Sequence, residues 1–193
     1  MRRTKSGILV LFVLTVLCLL PSTAFAQGKE KAGRWMFNIR IGAAANVGAG
    51  SFGCARGARF DYHCAQFVAS PEIAVGLDSK YHAYLGIIPM FQVGDGFSII
   101  NVPLTFQYDI ELPVKGLYIY PKVNSGYSRW LEPRDANYFN IEPAVGIKYQ
   151  FHRHVHVGGE PLGFMFYVGD NNGSDFNAQY HFLAYIGFDV RHA

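Results

Sequence analysis

The chain has 193 residues, of which 50% are hydrophobic, 16% aromatic and 16% charged. Soluble domains carry roughly 25% charged residues, so this sequence is poor in charge for its length. Its net charge of +3 comes from Arg2, Arg3 and Lys5, because the other basic residues balance the acidic ones. The length fits one domain, and the charge balance excludes a nucleic-acid-binding protein that works through a basic surface.

The first 26 residues have the pattern of a cleaved secretory signal peptide. A basic start is followed by an apolar run over residues 8–20 and then by the segment Ala24-Phe25-Ala26. The run is too short for a membrane-spanning helix, so we expect cleavage before Gln27. The predicted organisation is a signal peptide over residues 1–26, a short linker over 27–33 and one domain over 34–193.

From Trp35 onward, hydrophobic residues recur at every second position, which is the period of a β-strand with two different faces. In the clearest segment the apolar series is Ile100, Val102, Leu104, Phe106, Tyr108 and Ile110, and the residues between them are mostly polar. Similar segments begin near positions 35, 67, 81, 117, 139, 155 and 180. The sequence therefore predicts about eight strands, each long enough to cross a bilayer at a tilt.

The mature chain would keep two cysteines, Cys54 and Cys64, since the signal peptide removes Cys18. An even number of cysteines in an exported chain predicts a disulfide. The bond would close a loop within the long connection over residues 46–65.

The connections between the predicted strands alternate in length. Longer or turn-rich connections cover residues 46–65, 93–97, 125–136 and 169–176, whereas tight turns lie near positions 78, 112–116 and 152. Long loops at one end and short turns at the other are typical of outer-membrane barrels, whose short turns face the periplasm.

The two faces of the predicted strands differ in charge. The apolar face is free of charge over six or seven positions per strand, and the other face holds Asn, Gln, Thr, Gly and a few charges. This favours a lipid-facing apolar surface over a soluble barrel with an apolar interior. Aromatic residues near the strand ends predict two interfacial girdles: Trp35, Phe67, Tyr81, Phe91, Tyr108, Phe139, Tyr149, Phe151, Tyr167 and Tyr180.

The pattern after the signal peptide resembles the small eight-stranded outer-membrane barrels, the group of the OmpA transmembrane domain and OmpX. The resemblance implies an all-β, antiparallel, up-and-down transmembrane barrel in the cell outer membrane of a Gram-negative bacterium. Its implied partners are membrane lipids and the barrel-assembly machinery. That machinery usually reads a terminal aromatic residue, whereas this chain has Phe188 and Val190 and then ends in Arg191-His192-Ala193.

One feature argues against this fold. Every predicted strand except the first and the last contains a proline. Because proline has no N–H group to donate to a ladder, it is normally confined to edges and bulges. The six prolines are Pro71, Pro89, Pro103, Pro121, Pro143 and Pro161.

The polar face carries a predicted interior cluster of charges at similar heights. Its members are Arg40, Glu72, Lys122, Glu142 and Glu160. An eight-stranded barrel is just wide enough to be filled by side chains, and buried charges must pair. We expect Arg40 to pair with Glu72, and Lys122 with Glu142, because their strands are adjacent. Such a cluster favours a plugged interior, with a selective passage or a ligand pocket as the alternative.

Other candidate sites are weak. His152, His154 and His156 could lie on one strand face and bind a metal, but no second ligand cluster supports them, so we expect no metal and no cofactor. No serine lies within a few residues of a histidine in one predicted strand. The best hint of a catalytic pair is Ser174 with His181, seven positions apart from loop to strand, so we expect no enzyme activity. The sequence favours a monomeric, non-enzymatic membrane barrel with a structural or surface-interaction role. The alternative is a narrow channel or a small-ligand-binding barrel.

Overall fold

The computed structural model describes residues 34–47, 65–77, 82–94, 97–132, 135–169 and 176–191. It contains the strands β1 (Arg34–Asn46), β2 (Ala65–Gly76), β3 (Ala83–Ile87), β4 (Met90–Gly94), β5 (Phe97–Tyr108), β6 (Ile110–Glu111), β7 (Leu117–Glu132), β8 (Ala136–His152), β9 (Val155–Gly169) and β10 (Phe176–Arg191). The predicted signal peptide, the linker and both Cys54 and Cys64 lie outside the described residues. Within these ranges, no helix has the length and apolar character needed to span a membrane.

The strands form one closed antiparallel barrel. Strands that follow one another in the chain pair, except that β3 does not pair with β4 and β5 does not pair with β6. Strand β1 pairs with β10 from Arg34–Arg191 to Asn46–Gln179, which closes the sheet. Both β3 and β4 lie between β2 and β5, so they act as one interrupted barrel strand. In the same way, β5 and β6 both pair with β7 and act as one interrupted barrel strand. The barrel therefore has eight strands, which confirms the predicted fold.

The two ends of the barrel differ. At one end, the loop end, the connections are residues 47–64, 95–96, 133–135 and 170–175. At the other, the turn end, the chain enters at Arg34 and leaves at Arg191, and three short connections join the strands. The turn at residues 112–116 ends on Gly116, whose φ of 78° lies in the left-handed region that favours glycine.

The predicted connection over residues 125–136 is wrong. Strand β7 continues to Glu132 and β8 begins at Ala136, so only residues 133–135 connect them. Alternation persists through this segment, with Tyr127 and Arg129 facing outward and Ser128 and Trp130 buried inside. Its Ser, Gly and Arg residues resemble a loop in composition, but each occupies a regular position in the ladder.

The apolar face of the barrel points outward and the polar face points inward. In β1, Phe37, Ile39 and Ile41 are exposed, and Ile39 retains 62% of its accessible surface. Their neighbours Asn38 and Arg40 are buried in the interior. The same alternation repeats around the barrel, which gives an outer surface of large apolar side chains and an interior rich in polar ones.

One girdle residue is placed wrongly by the sequence pattern. Tyr167 is fully buried in the interior, whereas Phe151 and Tyr149 are exposed outside as predicted. The cause is a β-bulge in β9, where the pairing shifts by one residue between Glu160 and Gly163. An extra residue reverses which positions face inward, so the alternation cannot be counted through it. Pro161 lies in this bulge.

The other prolines lie where the ladder is interrupted. The β2–β3 and β2–β4 registers place Pro71 opposite Pro89, and no pair forms between them. The bond from Leu77 N to Ala83 O shows that odd-numbered N–H groups of β2 face β3. The bond from Ile88 N to Pro103 O shows that the N–H position of Pro89 faces β2. At this seam, the two N–H groups that would join β2 to the interrupted strand are both missing, because Pro71 and Pro89 have none.

The remaining mid-strand prolines follow the same rule. Pro103 lies opposite the interruption between β3 and β4, and Pro121 lies opposite the interruption between β5 and β6. Pro143 lies where the β8–β9 pairing is interrupted. The prolines therefore do not contradict the barrel, because each coincides with an irregularity or a missing bond on one side of its strand.

Candidate functional site

The centre of the barrel interior holds a network of four charged side chains: Arg40, Glu72, Lys122 and Glu160. Lys122 Nζ donates to Glu72 Oε1 at 2.8 Å and to Glu160 Oε1 at 3.1 Å. Arg40 Nη2 donates to Glu160 Oε2, and Arg40 Nε lies 3.9 Å from Glu72 Oε2. All four side chains are almost completely buried. Two cations therefore meet two carboxylates, and the network is electrically neutral.

Neutral groups complete this network. Tyr120 OH donates to Glu160 Oε1 at 3.1 Å, and Asn38 Nδ2 donates to Glu72 Oε2 at 2.9 Å. An isolated buried charge is very costly, so a carboxylate in this position needs both a counter-ion and hydrogen-bond donors. Each of the two carboxylates receives both.

Glu142 lies apart from this network. His181 Nδ1 is 2.7 Å from Glu142 Oε1, and Asn124 Nδ2 donates to Glu142 Oε2 at 2.7 Å. The expected pairing of Lys122 with Glu142 is therefore wrong. Asn124, not Lys122, is the cross-strand partner of Glu142, and the Lys122 side chain crosses the narrow interior to strands that are distant along the sheet.

A second set of charges lies near the turn end. Asp189 accepts from Arg34 and lies 3.2 Å from His156 Nδ1, and Lys148 donates to Asp109. Arg34, Asp109, Lys148 and Asp189 were not predicted from the sequence, and His156 was predicted only as a candidate metal ligand. The sequence did contain a signal for Arg34, because Arg34 and Arg40 are both even-numbered positions of β1 and share its inward face. The two ion pairs bury four more charged side chains inside the barrel, and each of the four has a partner of opposite charge.

The three candidate metal ligands do not form one metal-binding group, although the ring centroids of His152 and His154 lie 5.8 Å apart. His152 ends β8, His154 lies in the turn, and His156 lies in β9. His156 Nε2 is 2.8 Å from Asn38 Oδ1, and His154 Nδ1 is 2.9 Å from the carbonyl oxygen of Asp189. Each of these two ring nitrogens is thus engaged with a protein oxygen atom. In the described ranges, no group of three or more His, Cys, Asp or Glu side chains could hold a metal ion.

The interior near the loop end holds an apolar cluster that was not predicted from the sequence. Its three rings, Trp130, Tyr138 and Tyr167, have centroids 5.2–6.2 Å apart, and Trp130 meets Tyr167 edge to face at 88°. Aliphatic and small side chains surround the rings: Ala44, Val68, Ile88, Met90, Ile99, Ala136, Met165 and Leu183. The inward face was expected to be polar, and these residues interrupt that pattern.

Glycines make room for the interior rings. Tyr120 lies directly across the ladder from Gly146, and Tyr185 lies across from Gly158. A Cβ atom at Gly146 would collide with the Tyr120 ring, and one at Gly158 would collide with Tyr185. The interior is therefore packed by pairing a large ring with a residue that has no side chain.

Solved structures of other proteins share this architecture. No protein-family model matches the chain, and no curated protein matches it in sequence. Similar solved structures include the N-terminal β-barrel domain of Pseudomonas aeruginosa OprF, with a TM-score of 0.53 and 12% identity over 83% of this chain and 100% of that chain. Neisserial surface protein A is similar with a TM-score of 0.56 and 12% identity over 84% of this chain and 100% of that chain. The chain has the fold of the small outer-membrane β-barrels.

Proposed function

We propose that this protein is an integral outer-membrane β-barrel with a structural or surface-interaction role. The observation that carries the proposal is the outward apolar face, on which Ile39, Leu104 and Phe182 each retain more than half of their surface. Monomeric soluble proteins rarely expose a continuous apolar surface of this extent, whereas a bilayer requires one. The fold shared with the OprF barrel domain and with Neisserial surface protein A supports the same assignment.

In this proposal the barrel is a monomer whose turn end faces the periplasm. Its partners are outer-membrane lipids and, during biogenesis, the barrel-assembly machinery, and it acts without nucleic acid or cofactor. The connections at the loop end face the exterior and form the interaction surface. The longest of them contains Cys54 and Cys64, and a disulfide there remains a prediction.

We further propose that the interior is a plug and that the protein is not an enzyme. The central network compensates its own charges, and the cluster of Trp130, Tyr138 and Tyr167 fills the loop end of the interior. In this arrangement Glu72 and Glu160 are buried and paired with cations, so neither carboxylate is free to act on a substrate.

Expression in a Gram-negative host and membrane fractionation test the proposal. The protein should be found in the outer membrane and should migrate faster on gels before heating than after it. A matched pair of variants tests the outward face: Leu104→Arg in the apolar belt should lower the free energy of unfolding by about 2–4 kcal/mol. Val114→Arg, at an equally exposed turn residue, should not. Recovery as a soluble periplasmic protein would refute the proposal.

A narrow channel or small-ligand barrel is the second candidate. One observation favours it: several fully buried polar atoms, among them Gln66 Nε2, Ser70 Oγ and Thr105 Oγ1, have no hydrogen-bond partner within the described residues. Water inside the barrel would satisfy them. Planar-bilayer recordings distinguish the two candidates. A plug predicts no unitary conductance for the natural protein, whereas a channel conducts without any substitution.

A further inference from the structure

Two basic turns lie side by side at the turn end of the barrel. One covers residues 112–116 and carries Lys115, and the other carries Arg153 between β8 and β9. The backbone N–H of Gln150 donates to the carbonyl of Gly116 at 2.7 Å, which holds the two turns together. Lys115 and Arg153 are both exposed, and neither forms an ion pair with a described residue.

Exposed apolar groups accompany these cations. Val114 retains 59% of its surface at the tip of its turn, and Phe151 retains 55% beside the other turn. Tyr149, one outward position further along β8, is also exposed. Aromatic and aliphatic groups beside Lys and Arg are typical of protein segments that sit at the boundary between lipid chains and headgroups.

The acids near these turns point to the interior. Asp109 pairs with Lys148, and Asp189 pairs with Arg34, so both are neutralised. Glu111 is exposed at the mouth of the barrel, and its ladder pairing with Tyr118, whose ring lies 5.1 Å from Lys148 Nζ, places it on the inner side. On the outer side, the described residues of the two turns therefore present positive charge together with apolar groups.

We propose that Lys115 and Arg153 bind the phosphate groups of anionic phospholipids in the leaflet at the turn end. The inference rests on the proposed membrane location. The opposite end of the barrel offers a contrast, because Arg129 there is held by both carboxylate oxygens of Asp135. That cation is already neutralised, whereas the two at the turn end are available to a lipid phosphate.

Reconstitution of the protein, purified from membranes, into lipid vesicles tests this inference. Unfolding rates would be compared in phosphatidylcholine and in phosphatidylcholine mixed with phosphatidylglycerol, at fixed pH and low salt. Anionic lipid should slow unfolding by about fivefold for each cation, and salt should weaken the effect. Lys115→Gln with Arg153→Gln should abolish it, while Arg129→Gln should keep it. Inorganic phosphate added to phosphatidylcholine vesicles should not reproduce it.

The outcomes separate this inference from the proposed function. A protein that folds in both vesicles but shows the same lipid dependence with and without the two cations would overturn the inference and leave the membrane barrel intact. A protein that folds in neither vesicle would overturn the membrane location and this inference with it.

Discussion

Lys122 donates a hydrogen bond to Glu72 Oε1 across 2.8 Å, although 50 positions separate the two residues in the chain. Their strands, β7 and β2, are not neighbours in the sheet, so the contact crosses the barrel interior. Both side chains are almost fully buried. The interior thus joins opposite walls of the barrel, and its charges should contribute to stability as a unit.

Removing one charge of this network should destabilise the barrel strongly. Glu72→Gln leaves two cations against one carboxylate and should lower the free energy of unfolding by about 3–5 kcal/mol. The double change Glu72→Gln with Lys122→Met leaves Arg40 with Glu160 and should recover much of the loss. Urea titration in detergent measures both. Arg129→Gln, which breaks an exposed pair, should cost about 0–1 kcal/mol. A silent Glu72→Gln variant would contradict a buried network.

The ring-and-glycine packing predicts a specific incompatibility. Gly146→Ala should cost about 1–3 kcal/mol, because the three atoms nearest to the new methyl group all belong to the Tyr120 side chain, at 2.2–2.6 Å. Combining it with Tyr120→Leu should cost less than the sum of the two single changes. Gly159→Ala is the matched control, since its Cβ would meet only one backbone oxygen at 3.1 Å. Additive costs in the double variant would count against direct packing.

The seam between Pro71 and Pro89 should be a weak point of the wall. Pro71→Val supplies the N–H group that faces the Pro89 carbonyl, and unsatisfied carbonyls are costly in hydrocarbon. We expect this variant to gain about 1 kcal/mol net in vesicles, after the entropy that proline removes from the unfolded chain is subtracted. Pro113→Val, in a turn outside the ladder, lacks the new bond and should not be stabilised. Equal effects of the two substitutions would show that the seam carries no missing bond.

The sequence predicts the barrel because the face that a residue occupies on its strand follows from the alternation of its immediate neighbours. A period of two fixes that Phe37 and Ile39 share one face, whatever the rest of the chain does. The pairing of charges is not local in this sense. Lys122 and Glu72 meet only because strand tilt and register bring β7 opposite β2 at one height, and neither quantity can be read from either segment alone.

The placement of Tyr167 fails for a different physical reason. Alternation from Val157 predicts an outward position, but the bulge at Pro161 inserts one residue and turns the following positions over. The proline itself was the visible signal. Read as a marker of a bulge rather than as an objection to the fold, it would have placed Tyr167 inside.

The central claim is that one face of every strand meets lipid and the other lines a closed interior. The chain has two tryptophans, one on each side of the wall: Trp35 is exposed outside and Trp130 is fully buried inside. Fluorescence quenching by lipids brominated near the headgroup end of their acyl chains measures the claim directly in two variants, Trp130→Phe and Trp35→Phe. We predict strong quenching of Trp35 and little quenching of Trp130. Equal quenching of both, or an unquenched Trp35, would contradict the account.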